Sequence, residues 1–136
     1  METTNIRQKE RFNVSPMEFY KAFMNSASHS AFTGSKAQIL DQPDATFTAH
    51  AGYCFGKNLA LKKGAKIVQS WCAHDAKWPE GHESKITLKL KGNDEETFLE
   101  FIHENVPLEA AESIANGWIE YYWKPMKNYF SNLKSN

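Results

Sequence analysis

The chain has 136 residues, of which 41% are apolar, enough for a single domain, residues 1–136, around one sizeable core. Sixteen basic residues balance sixteen acidic ones with no basic block and no acidic tail, which argues against nucleic acid or an anionic membrane as a partner. No run approaches the roughly 20 apolar residues of a membrane span, and the polar start METTNIRQKERF lacks a signal-peptide core, so a soluble, cytoplasmic protein is expected.

Ile6 to Val14 mixes apolar and charged residues as a first strand would. Ser15-Pro16-Met17-Glu18 then forms a capping box with proline at the first helical position, which predicts a helix starting at Ser15. Phe19, Tyr20, Phe23 and Met24 give this helix one apolar face, and Asn25 with Ser26 is expected to end it. One more short helical turn is expected over Ala27 to Phe32, before Gly34 releases the chain into a strand near Ala37 to Leu40.

From there to Val106 the breakers Asp41 to Asp44, Ala51-Gly52, Lys62 to Gly64, Trp78 to Gly81 and Gly92 to Asp94 leave room for five strands of an antiparallel meander. The clearest is Lys85 to Lys91, where Ile86, Leu88 and Leu90 alternate with Thr87 and lysines, the pattern of a sheet wet on one face. Pro107 opens a long last helix with a wide stripe of Ile114, Trp118, Tyr121, Tyr122, Met126, Tyr129, Phe130 and Leu133. Gly117 and Pro125 interrupt it, and a proline kink would bend it over a curved sheet. This order of elements is α+β.

The stretch Trp78-Pro79-Glu80-Gly81-His82-Glu83-Ser84 places a histidine between two acids. Proline, glycine and a tryptophan packed on the sheet end explain it as a stiff turn. A zinc site needs three or four converging ligands, and no such set is visible, so no metal and no cofactor are expected. As an exposed, stiff turn it makes Trp78 and His82 candidates for contact with a protein partner. Cys54 and Cys72 lack metal spacing and read as buried thiols. No nucleophile stands with a base and an orienting acid, so no catalytic residue is assigned and a non-enzymatic protein is expected.

An early helix followed by Ala31-Phe32-Thr33-Gly34, then Gly52 and Gly56, Ile67-Val68-Gln69-Ser70-Trp71, Trp78-Pro79-Glu80-Gly81-His82, and Gly117-Trp118 followed by Tyr121-Tyr122 run in this order over most of the chain. Together they resemble the C-terminal domain of the activator of the heat-shock-protein-90 ATPase, a START-like or Bet v 1-like fold. The resemblance implies a helix-grip: a curved antiparallel sheet wrapped around the C-terminal helix, with a cavity between them. It implies a co-chaperone-like protein of the stress response, with the heat-shock-protein-90 chaperone as partner. The resemblance also implies that the family's activator makes its main chaperone contact through a separate N-terminal domain, which is not expected within these 136 residues.

The alternative is a carrier or sensor of a small hydrophobic ligand. Strand alternation puts Gln69 with Ile67 and Trp71, and His103 with Leu99 and Phe101, so both polar groups are expected to face inward. Cys54, Gln69, Trp71, His103, Trp118 and Tyr122 are the expected cavity residues. The same alternation turns Phe98 and Ile102 outward as a further candidate contact patch.

Overall fold

A computed structural model describes residues 1–134 of the chain. Its strands are β1 (Thr3–Phe12), β2 (Thr46–Ala49), β3 (Cys54–Lys62), β4 (Lys66–Ala73), β5 (Ser84–Asn93) and β6 (Glu96–Pro107). They pair antiparallel in one curved sheet of order β1-β6-β5-β4-β3-β2, so the first strand closes against the last. Between β1 and β2 lie α1 (Pro16–Phe23) and α2 (Ser26–Thr33); after β6 come α3 (Ala111–Trp118) and α4 (Lys124–Lys134). This is the helix-grip arrangement, with the C-terminal helix on the concave face.

Local chemistry accounts for the boundaries. Ser15 caps α1 by accepting from the Glu18 N–H at 3.2 Å, with Pro16 in the first turn. Asn25, expected to end that helix, instead starts the next one, because its side-chain oxygen accepts from the Ser28 N–H at 3.0 Å. The expected single turn is therefore the eight-residue α2, closed by Gly34 in the left-handed conformation. The strand expected near residues 37–40 is reduced to one bridge, Gln38 to Thr48. The Ile39 N–H there donates to the Ser26 hydroxyl oxygen at 2.8 Å instead.

The last helix departs most from expectation. Just ahead of Pro125, residues Ile119–Trp123 make a π-turn in which the Lys124 N–H reaches back five residues to Ile119. The widened turn lets Pro125 follow without its ring meeting the carbonyl four residues back. It also changes which residues face the sheet. Trp118 and Trp123, five apart, stack with centroids 5.6 Å apart and planes 17° apart, and Trp123 is buried with Tyr122 and Met126. Tyr121 and Leu133, both assigned to the apolar stripe, are exposed. A helix of constant 3.6 period predicts neither.

Inward-facing Ile67, Ile86, Leu88, Leu99 and Phe101 meet Trp118, Trp123, Met126 and Phe130 from the helix to form the core. Phe12 joins them by edge-to-face contacts with Phe19 and Phe130.

Candidate functional site

His103 and Gln69 both face inward, as alternation requires, and both are fully committed to protein partners. The Trp118 indole N–H donates to Nδ1 of His103 at 3.1 Å, so the ring proton sits on Nε2. That Nε2–H donates to Ser84 Oγ at 2.8 Å, and the Ser84 hydroxyl donates to the Trp71 carbonyl at 2.6 Å. Burial holds His103 neutral, with its pKa pushed down to about 3. Gln69 donates to Asn58 Oδ1 at 2.9 Å, and Asn58 donates in turn to the carbonyls of Leu40 and Gln42, both at 2.8 Å. The pair ties the 40–45 loop to the sheet.

Neither residue lines the cavity. The concave end of the sheet leaves a pocket of about 380 Å³ floored by Cys54, Trp71, Trp118 and Tyr122, with His50, Tyr53, Ser113 and Tyr121 around it. The expectation that Gln69 and His103 enter it is corrected for a physical reason: buried polar groups were satisfied by the nearest donors and acceptors, which closed the space around them. Gly117 contributes no side chain to the wall, and a Cβ there would approach only the Tyr121 ring, at 3.7 Å.

The pocket has a second polar layer that the sequence did not signal. His29 Nδ1–H donates to the Phe23 carbonyl at 2.8 Å, which leaves Nε2 to accept from the Tyr122 hydroxyl at 2.8 Å. Burial lowers the His29 pKa to about 4 and raises that of the Cys54 thiol to about 12, so both are neutral near pH 7. His50 stands over the Tyr122 ring at 5.3 Å, its pKa also lowered by burial. Among the described residues, its ring makes no hydrogen bond.

His50, Ala51 and Gly52 all have positive φ, of 52°, 57° and 93°. Non-glycine residues in this region cost about 1 to 2 kcal/mol each, so the strap at the pocket mouth stores strain. In the sequence, Ala51-Gly52 reads as a breaker and Gly52 as one residue of the family resemblance, and neither signals strain at His50 and Ala51.

On the outer side, the Trp78 to His82 stretch is a turn with Gly81 at φ 78°. Trp78 packs on the sheet end as the turn reading expects, donating from Nε1 to the His82 carbonyl at 2.8 Å and lying edge-to-face on Trp71 at 5.3 Å; being buried, it is corrected as a candidate for partner contact. The ring is worth more against the sheet end than in water. His82 is half-buried and its Nε2–H donates to the Asn105 carbonyl at 2.8 Å. Pro79, Glu80 and Gly81 remain exposed beside a broad concavity of about 950 Å³. Cys72 and Cys54 are buried free thiols. Among the described residues no three His, Cys, Asp or Glu converge as a metal site.

On β6, Leu99, Phe101 and His103 face the helix while Phe98 is half exposed on the outer face, with Ile102 partly covered beside it. Among the described residues no helix is long and apolar enough to cross a membrane.

Comparison with known proteins matches this architecture. Among solved structures, an HSP90 activator from Plasmodium falciparum superposes with a TM-score of 0.86 at 21% identity, over 93% of this chain and 96% of that one. The Aha1 dimer from Colwellia psychrerythraea gives 0.74 at 15% identity, over 92% and 94%. These two likenesses establish the fold. In sequence, the chain is 31% identical over 128 residues to the human activator of 90 kDa heat shock protein ATPase homolog 1, covering 94% of this chain and 37% of that protein. It is 30% identical over 130 residues to the corresponding Dictyostelium discoideum homolog, covering 95% and 33%. The chain thus spans about a third of the length of these relatives. Residues 13–131 match the family described as Activator of Hsp90 ATPase homolog 1-like protein, and the chain belongs to that family.

Proposed function

We propose that this protein is a non-enzymatic, co-chaperone-like binding domain whose partner is the heat-shock-protein-90 chaperone. The observation that supports the reading is the family match over residues 13–131, together with relatives described as activators of that chaperone's ATPase. The chemistry of the site agrees with binding. Its buried histidines and thiol are held neutral, and among the described residues each buried side-chain nitrogen and oxygen has a hydrogen-bond partner. Catalysis asks instead for a group poised to gain or lose a proton near pH 7. The outer concavity beside Pro79 to His82 is the surface this reading assigns to the chaperone.

The deciding experiment adds the purified protein to the heat-shock-protein-90 chaperone of its own organism and measures both binding and ATP turnover. Binding with changed turnover supports the reading. Absence of binding at tens of micromolar removes it.

A second reading rests on the pocket itself. An apolar floor of Trp71, Trp118 and Tyr122, an imidazole at His50 free to hydrogen-bond, and a strained strap at the mouth suit a small flat hydrophobic molecule with one polar group.

A further inference from the structure

The outer face of the sheet carries a charge pattern that no stretch of the linear sequence displays. Pairing sets Lys62 opposite Lys66, Lys66 opposite Lys89, Lys89 opposite Glu100, and Glu100 opposite Lys9. Four lysines and one glutamate therefore form a single row across five strands. The facing of that row follows from the one beside it, where Leu61, Ile67, Leu88, Phe101 and Gln8 are in register and turned to the helix. With strands about 4.8 Å apart, the row is roughly 20 Å long, the width of an ordinary protein contact patch.

Directly opposed residues in an antiparallel sheet have Cβ atoms about 5 Å apart, and like charges there repel. Lys66 has such a neighbour on each side. Among the described residues, Lys9, Lys62, Lys66, Lys89 and Lys91 make no ion pair, while the nearby carboxylates Glu96 and Glu104 pair with Arg11 and Lys85. The exposed ring of Phe98 stands between Lys91 and Arg11 in another row of the same face, and Ile102 between Thr87 and Arg7. Glu109, Glu112 and Glu120, by contrast, are exposed on the helical side. That side also carries Lys21, Lys124, Lys127 and Lys134, with Lys124 paired to Glu120 and Lys127 to Glu10, so what marks the outer face is its in-register row of lysines without ion pairs.

We propose that this convex face is a docking surface for an acidic face of a partner protein, whose carboxylates neutralise Lys62, Lys66 and Lys89 while an apolar group covers Phe98. Charge complementarity selects the partner's sign, and Glu100, set between Lys89 and Lys9, selects its class. A uniform polyphosphate laid across the row would meet this carboxylate, whereas a protein surface can place acids against the lysines and a neutral or basic group against the glutamate. The surface lies across the sheet from the pocket, so it does not depend on the ligand reading, and its row of lysines is distinct from the concavity assigned to the chaperone.

The test titrates the full chain with a ten-residue peptide alternating Glu and Phe, and separately with single-stranded DNA of equal charge, following backbone amide signals. The peptide is expected to shift Lys9, Lys66, Lys89 and Phe98, and to bind more weakly as salt rises. Joint Lys66→Glu and Lys89→Glu substitution should weaken it about tenfold. Phe98→Thr should add a loss that salt does not change. Lys66→Gln with Lys89→Gln repeats the charge test should the reversal disturb folding. The proposal is overturned by no binding, by shifts confined to the helical side, or by unchanged affinity in both double variants. It is equally overturned by DNA binding more tightly on the same residues, or by a concentration-dependent dimer that the double variants abolish, which would make a second copy the occupant.

Discussion

The indole N–H of Trp118 donates to Nδ1 of His103 across 3.1 Å, and that bond joins the last helix to the centre of the sheet. It forces the His103 proton onto Nε2, from where the chain of bonds runs through Ser84 to the backbone of Trp71. Helix, β6, β5 and β4 are tied in one buried line.

Stability should therefore fall in acid. His103 and His29 have folded pKa values pushed down to about 3 and about 4 by burial, below the roughly 6.5 of an unfolded histidine. The unfolded chain takes up these protons first, so their stabilising effect is complete above pH 6.5 and is lost as pH drops from there towards 4. Each contributes a slope of up to about 1.4 kcal/mol per pH unit in that window. Urea midpoints at pH 7, 5.5 and 4.5 measure it. His103→Gln should flatten the slope, and an equal slope in that variant contradicts the assignment.

Trp118→Ala removes a buried ring that touches Trp71, Phe101, Tyr122 and Trp123, as well as the donor to His103. A loss of about 3 to 5 kcal/mol in chemical denaturation is expected. A loss below about 1 kcal/mol would mean that the helix does not pack on β6 through this residue.

Gly56→Ala tests close backbone packing in β3. A Cβ there would lie 1.9 Å from the Ser70 carbonyl oxygen and 2.9 Å from the Phe47 ring. Neither backbone nor ring can retreat without opening the β3–β4 ladder. The variant should lose more than about 3 kcal/mol or fail to accumulate, as measured by soluble yield and thermal melting.

Filling the pocket separates ligand binding from surface adsorption. Naphthalene-2-carboxylate should quench the fluorescence of Trp71 and Trp118 and shift the amides of Trp118 and Tyr122. Gly117→Leu projects into the pocket without a backbone clash and improves helix propensity, so it should abolish those changes at equal or higher stability. Undiminished shifts in this variant place the probe elsewhere.

Phe98→Thr with Ile102→Thr probes the outer face. Both side chains stand away from the helix, and threonine keeps strand propensity, so unfolding free energy should change by less than about 1 kcal/mol. A loss of several kcal/mol would show that this face is covered.

The local signals were all in the sequence: the Ser15 cap, the alternation of Ile86, Leu88 and Leu90, the five strands between breakers and the inward facing of Gln69 and His103 follow from neighbours a few residues apart. Such features depend on rotamers, capping and periodicity, which short stretches determine by themselves. What the tertiary structure decided are relations between distant residues. The π-turn that brings Trp123 under Trp118 relieves the conflict between the Pro125 ring and the helix carbonyl four residues back. The partners that close Gln69 and His103 off from the pocket come from Asn58, Ser84 and Trp118. His29 reaches Tyr122 across 93 positions, and Lys62, Lys66, Lys89 and Lys9 become one row only through strand register. Hydrogen bonds and charges act over a few ångströms of space, whatever the separation along the chain, and folding alone sets which groups fall within that range.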